Sequence, residues 1–176
     1  INKKELITPF ADMFRYKLMN DIGGWYVDSD MICLKKLPKI NGIYLNSEYN
    51  QKYKKILINS VLYSEETNNI FGKIFCDIIK RPHYKDTFHG EYGFEDFLKK
   101  YKITNSFEPI FSNPLQWFEV EKILYDDLEF NKKTYMVHLF NVAWKFGLWS
   151  KKSVKKIRLD NYSKNSFYYK IKNKYL

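Results

Sequence analysis

The stretch "GGWYVDSD" occupies Gly23–Asp30 and follows directly on "ADMFRYKLMNDI", Ala11–Ile22. The upstream segment predicts one helix from Thr8 to Gly23. Thr8 can cap it and Pro9 suits the first helical position. Phe10, Phe14 and Leu18 recur every four residues, with Ala11 and Ile22 beside them, which predicts a buried stripe. Gly23 can take the left-handed conformation that ends a helix. Gly24–Val27 then reads as a short strand, and Asp28-Ser29-Asp30 lies at its exit.

Working outward, "MICLKKLP" continues as a possible second strand and Gly42–Asn46 as another, followed by a polar loop over 47–54. "KKILINSVLY" has the branched residues of a buried strand. Glu65–Lys80 is predicted helical, since Ile70, Phe71, Ile74, Phe75, Ile78 and Ile79 follow an amphipathic pattern that Arg81-Pro82 stops. "HGEYGFEDFLKKYK" predicts a turn and a short helix, and "SFEPIFSNPLQWF" an irregular segment with short strands. Thr134–Phe146 places Val137, Phe140 and Trp144 at helical spacing. The order of helix, strand, acids, strands, helix and mixed elements is an α/β pattern.

Composition narrows the class. With 45% hydrophobic residues, the 176-residue chain can bury a real core. No apolar run approaches the ~20 residues that span a bilayer. Cys33 and Cys76 form neither a disulfide framework nor a zinc spacing, and their apolar neighbours predict buried free thiols. The net charge of +10 is concentrated: 151–176 holds nine Lys/Arg against the single acid Asp160. The chain therefore divides into residues 1–150 and a basic, aromatic C-terminal tail, 151–176.

Two carboxylates at i and i+2 can converge on a hard divalent cation, Mg²⁺ or Mn²⁺, which would hold a diphosphate. For an isolated Asp-x-Asp, a solvated turn is by far the commoner explanation. Asp12 and Arg15, three apart, share a helix face. They suit either a surface ion pair or the fixed donor and acceptor geometry that a polyol needs.

The segment "FADMFRYKLMNDIGGWYVDSDMICLKKLP" resembles the sugar-binding D-x-D region of the glycosyltransferases of family 32. That group includes capsular polysaccharide, α-1,4-glycosyl and initiating mannosyl transferases. Its pattern is an Asp-x-x-Arg-Tyr helix, a Gly-Gly-x-Tyr strand and then Asp-x-Asp. Here Asp12, Arg15, Tyr16, Gly23, Gly24, Tyr26, Asp28 and Asp30 stand in that order. Downstream, "INSVLYSEETNNIFGKIFCDII" is similar to a family segment with Asn on a strand before a helix, and Asn59 matches that Asn. "FHGEYGFEDFL" resembles a Gly-Pro turn with Glu91 in place of Pro, and "YMVHLFNVAWK" resembles a C-terminal "HLWN" segment with Phe140 in place of Trp.

The resemblance implies a GT-A-like, N-terminally truncated nucleotide-diphospho-sugar transferase fold. It implies a hexosyltransferase-type enzyme, metal-dependent and retaining, that moves a sugar from a UDP- or GDP-sugar to a glycan or glycolipid acceptor, as in polysaccharide or capsule biosynthesis. By carry-over, Asp30 and His138 would bind Mn²⁺ or Mg²⁺, and Asp28 would contact the sugar or ribose while aiding the metal site. Asp12 and Arg15 would hold sugar hydroxyls, and Asn59 would lie near the reacting centre. His138 reads otherwise as a satisfied histidine on an amphipathic helix. The family's base-binding strand-helix-strand unit precedes the Asp-x-x-Arg helix, whereas seven residues precede Thr8 here. Residues 1–176 alone are therefore expected to bind donor weakly or not at all.

The other function classes are an inactive transferase remnant and a non-catalytic module using the basic tail. That tail suits an anionic membrane surface, with nucleic acid the less favoured partner. The default location is the cytoplasm, at the inner face of a bacterial membrane, with Golgi or viral origin as alternatives.

Overall fold

A computed structural model describes residues 7–50, 52, 54–80, 91–140 and 161–175. The chain forms two compact units. The first is built from Ile1–Asp28, Pro38–Glu48 and Lys55–Glu108, the second from Ser29–Leu37, Tyr49–Lys54 and Pro109–Leu176.

Unit one opens with helix α1, Ile7–Asp21, so Thr8 and Pro9 both fall inside its first turn. Proline is tolerated there because the first amides lack intrahelical acceptors anyway. Gly23 ends the helix at φ +69°, its N–H donating to the Met19 carbonyl at 3.2 Å. A Cβ on Gly23 would stand 3.2 Å from the carbonyl oxygens of Ser64 and Glu66, so both the dihedral and the close approach require glycine. Strand β1, Gly24–Val27, pairs antiparallel with β4, Lys55–Ser64, in the register Gly24–Ser64 to Val27–Val61. With β3, Ile43–Tyr49, these form a three-stranded sheet in the order β1-β4-β3. The third strand is longer than its predicted Gly42–Asn46, taking in the start of the stretch read as loop. Leu45 also makes a parallel bridge to Ser106.

Helix α2, Ile70–Ile79, starts later than the predicted Glu65, because Asn69 accepts the Phe71 amide at 2.9 Å and caps the helix there. Phe71, Ile74 and Ile78 are buried as the pattern predicts, while Ile79 is exposed. Helix α3, Glu91–Tyr101, adds Phe94, Phe97 and Leu98 to the same core. The predicted turn at His89-Gly90 lies outside the described residues.

The buried side of α1 differs from the sequence expectation. Phe10, Phe14 and Ile22 are 63%, 53% and 68% exposed, whereas Asp12, Arg15, Tyr16 and Met19 are buried. The latter set also follows i, i+3, i+4, i+7, so both faces have helical spacing. Tyr16 and Met19 supply apolar area, with Tyr16 stacked on Phe71 and Phe94 at 6.1 and 6.4 Å. The two charges are buried together, in contact with each other.

Unit two contains β2, Met31–Cys33, paired antiparallel with β5, Met136–His138, in the register Met31–His138, Ile32–Val137 and Cys33–Met136. Within the described residues this corrects the helix predicted over Thr134–Phe146. Val137 is buried by a strand partner distant in sequence, which helical spacing alone cannot reveal. Trp144 lies outside the described residues. "SFEPIFSNPLQWF" forms 3₁₀ turns at Pro109–Phe111 and Trp117–Glu119, followed by α4, Lys122–Tyr125.

The basic C-terminal stretch contributes α5, Phe167–Tyr175. Phe167 is buried edge-on to Phe130 at 5.0 Å, and Tyr162, Tyr168 and Ile171 pack on the cluster around Val120, Ile123, Leu124 and Val137. The described part of this stretch is thus built into the core of unit two.

Both cysteines are exposed, contrary to expectation. Cys33 is the last residue of a three-residue strand, and Cys76 lies on α2 away from its Phe71-Ile74-Ile78 face.

Candidate functional site

Unit one gathers Asp12, Arg15, Asn59 and Asp28 into one hydrogen-bonded cluster. Helix α1 supplies Asp12 and Arg15 from adjacent turns, the central strand β4 supplies Asn59, and Asp28 stands at the exit of β1, its N–H donating to the Ser60 carbonyl at 2.9 Å. One terminal nitrogen of Arg15 donates to the Asn59 carbonyl at 2.6 Å and to Asn59 Oδ1 at 3.1 Å, and lies 3.5 Å from Asp28 Oδ2. The other lies 3.3 Å from Asp12 Oδ1 and 3.4 Å from Asp28 Oδ1. Asn59 Nδ2 donates to Asp12 Oδ1 at 3.2 Å and to the Tyr16 hydroxyl at 2.9 Å. The Tyr26 hydroxyl donates to Asp28 Oδ1 at 2.7 Å, and its ring lies 5.2 Å under the guanidinium.

The Arg15 and Asp12 side chains are each 9% exposed, so this is no surface ion pair. Arg15 Nε is buried with no hydrogen-bond partner among the described residues. Burial opposes the guanidinium's charge, but the nearby Asp28 and Asp12 carboxylates outweigh it and hold Arg15 above its ordinary range. Asp12 is pushed up to about 6, chiefly by burial, with Arg15 and the Asn59 amide pulling against that rise. Burial also raises Tyr16 and Tyr26, so both stay protonated donors at neutral pH.

A pH dependence follows. The native carboxyl of Asp12 titrates near 6 instead of 3.8, so the folded state holds this proton more tightly than the unfolded chain does. Asp12 therefore favours folding at low pH, and that contribution is lost as pH rises from about 4 through about 6. Denaturant titrations at pH 4 and pH 7 should show wild type losing on the order of 3 kcal/mol relative to Asp12→Asn. Equal pH profiles for the two proteins would contradict it.

Unit two holds Asp30 and His138. Asp30 Oδ1 lies 3.4 Å from His138 Nε2, and the Asp30 carbonyl accepts the Leu139 N–H at 2.9 Å. The β2–β5 ladder, which sets Met31 opposite His138, brings the two together. His138 Nδ1 meets Asn113 Oδ1 at 3.0 Å, and Asn113 Nδ2 donates to Ser112 Oγ at 3.2 Å. With Nδ1–H donated to Asn113, Nε2 presents its lone pair on the Asp30 side. That is the tautomer a metal-binding histidine needs, with its outer nitrogen held by a carbonyl. The ring also stacks on Phe140 at 3.9 Å.

A carboxylate and an imidazole converging in this way fit a divalent cation whose other positions go to water and phosphate oxygens. Among the described residues no group of three or more His, Cys, Asp and Glu side chains is arranged to hold a metal. Asp30 with His138 would supply two ligands.

The six residues singled out in sequence thus fall into two groups, Asp12, Arg15, Asp28 and Asn59 in unit one and Asp30 with His138 in unit two. Sequence reading missed Asn113, which is buried in the turn-rich segment after Pro109 and has no periodicity to mark it. It also missed that Tyr26 holds Asp28. The alternation along Gly24–Val27, which sets Tyr26 and Asp28 on one side, was a usable signal.

Residues 2–59 match the sequence profile of the family described as glycosyltransferase sugar-binding region containing DXD motif. The match, about a third of the chain, runs from before α1 into β4 and takes in Asp12, Arg15, Asp28, Asp30 and Asn59. No curated protein matches the chain.

Proposed function

We propose, from the glycosyltransferase sugar-binding region matched by residues 2–59, that this protein transfers a sugar from a nucleotide-diphosphate donor to a glycan or lipid-linked acceptor. The observation that carries the proposal is the buried Arg15, tied to Asp12, Asp28 and Asn59. Burying such a group for stability alone is a poor bargain, since an apolar cluster of equal volume serves as well or better. A rigid set of acceptors and one donor is what recognition of sugar hydroxyls requires.

In this reading Asp12 and Arg15 bind the donor sugar, Asn59, itself held by the Tyr16 hydroxyl, fixes the Asp12 carboxylate, and Tyr26 fixes Asp28. Asp30 and His138 would hold Mn²⁺ or Mg²⁺, which when bound supplies charge stabilisation to the diphosphate leaving group. Cleavage of the glycosidic bond leaves positive charge on the sugar ring, which the Asp28 carboxylate, held by Tyr26 and Arg15, would offset. Transfer is expected to retain anomeric configuration.

No helix among the described residues is long and apolar enough to cross a membrane. The exposed Lys164, Lys170, Lys174 and Tyr175 support peripheral contact with an anionic bilayer through 151–176. The test of the transferase reading is donor hydrolysis by the complete gene product. Release of UDP or GDP from a nucleotide sugar should require Mn²⁺ or Mg²⁺ and cease in EDTA. No release from any donor, with either cation, would sink it in favour of an inactive remnant.

A further inference from the structure

We propose that a groove formed by the end of α1, by α2 and by the end of α3 binds an acidic glycan, a sugar chain bearing carboxylate, sulfate or phosphate groups. That this chain is the acceptor rests on the transferase reading. The binding itself needs no donor and is tested without one.

The groove measures about 540 Å³ and lies within unit one. Hydrogen bonds fix its walls. The Asn68 N–H donates to the Asn20 carbonyl at 2.7 Å, and Asn69 Nδ2 donates to the Met19 carbonyl at 2.8 Å, which ties the approach to α2 onto the end of α1. Gly72 lets the two helices close up, since a Cβ there would collide with Asn20 Oδ1. The groove is therefore shaped before any ligand arrives, which lowers the cost of binding.

Its charge comes from Lys17, Lys73 and Lys80, lining residues that share the groove with Asp77. The carboxylate of Asp77 is committed to α3, for the Tyr101 hydroxyl donates to its Oδ2 at 2.6 Å and Lys100 pairs with the same oxygen. Lys17 pairs with Asp21. Lys73 and Lys80 are exposed, and no ion pair among the described residues engages either. They stand i and i+7 on one stripe of α2, away from its buried Phe71-Ile74-Ile78 face, so two turns or about 10 Å separate them along the axis. Asp77 lies between them on that stripe. A single compact anion held by both ammonium groups would have to sit over this carboxylate and be repelled by it. Acidic groups recurring along a chain can meet each lysine separately.

The rest of the lining suits hydroxyls. Among the described residues Asn20 engages Asp21 through Nδ2, which leaves its Oδ1 as an acceptor, and the exposed Asn68 carboxamide adds donors and a second acceptor. The two rings of the lining, Phe75 and Tyr101, pack against the core cluster of unit one. The groove is thus better furnished for sugar hydroxyls and acidic groups than for the stacking of bases that a single-stranded nucleic acid requires.

Cys76 lines the groove, Cys33 lies in unit two and both are exposed, so the chain carries its own reporter and control. The experiment is alkylation of the full chain by iodoacetamide, with both cysteines followed by mass spectrometry, in the presence of a hyaluronan decasaccharide, which bears one carboxylate per disaccharide. Cys76 should react at least about fivefold more slowly than without the oligosaccharide, while Cys33 keeps its rate. A neutral maltodextrin of equal length should protect neither. In the double variant Lys73→Gln, Lys80→Gln, compared with its own ligand-free rate, protection should fall below about twofold. An unchanged Cys76 rate with hyaluronan overturns the inference and leaves the transferase reading to its own test of nucleotide release. Equal protection by maltodextrin, or protection retained in the double variant, overturns the role of the lysines. Equal protection by a ten-residue oligothymidylate overturns the glycan in favour of nucleic acid, and equal protection by inorganic phosphate overturns the extended chain in favour of a single ion. Protection without nucleotide release from any donor sinks the transferase reading and the acceptor role, and leaves the acidic-glycan site standing.

Discussion

Replacing Arg15 with alanine should destabilise the protein by about 3–5 kcal/mol, the largest stability effect expected of any single substitution in the site. The guanidinium is the common partner of Asp12, Asp28 and Asn59. Its removal leaves two carboxylates and the Asn59 carbonyl without their shared donor, in a place where water reaches poorly. Part of the loss will be softened because Asp12, already pushed up to about 6, can take a proton. The loss should therefore be smaller at pH 5 than at pH 8, which separates electrostatic origin from lost packing. Arg15→Ala combined with Asp12→Leu should recover part of the stability, since the double variant removes the more deeply buried of the two carboxylates that lose Arg15. Denaturant midpoints for the two single variants, the double variant and wild type measure this coupling. An Arg15→Ala loss below about 1 kcal/mol would mean that the cluster does not hold this part of the fold together.

Asp30→Ala is the converse case, large in activity and small in stability. Asp30 Oδ1 lies 3.4 Å from His138 Nε2, and its side chain is 22% exposed, so solvent screens this carboxylate. Its main-chain carbonyl accepts from Leu139, a bond that alanine keeps. A loss of ~1 kcal/mol or less, or roughly 2–4 °C in Tm, is expected. Metal-dependent turnover should fall by at least about 10²-fold, because the leaving diphosphate would lose its charge stabilisation. Turnover unchanged at saturating Mn²⁺, with the fold intact, would remove Asp30 from the metal site. Asn113→Ala should act on the same site through His138, weakening activation by metal about 10–100-fold by releasing the imidazole from its tautomer.

The two acids of "DSD" therefore have different surroundings although one serine separates them. Asp28 is engaged by Arg15 and Tyr26 in unit one, and Asp30 by His138 in unit two. A substitution at either should report on its own partners. The Asp28 effects should track with Arg15 and Tyr26, and the Asp30 effects with His138 and Asn113.

What the sequence alone determined is the local order around the motif. The helix end at Gly23, the strand Gly24–Val27 and the acids at its exit depend on neighbours within a few residues, where backbone preferences act directly. The amphipathic face of α2 was legible for the same reason. Only the tertiary structure decided which face of α1 is buried, because Phe10-Phe14 and Asp12-Arg15-Tyr16-Met19 have equally helical spacing. The choice depends on Asn59, 44 residues beyond Arg15, offering the hydrogen bonds that make burial of the charges possible. It likewise decided that His138 lies on a strand, through pairing with β2 more than a hundred residues earlier, since a ladder between distant segments leaves no periodic trace in either one.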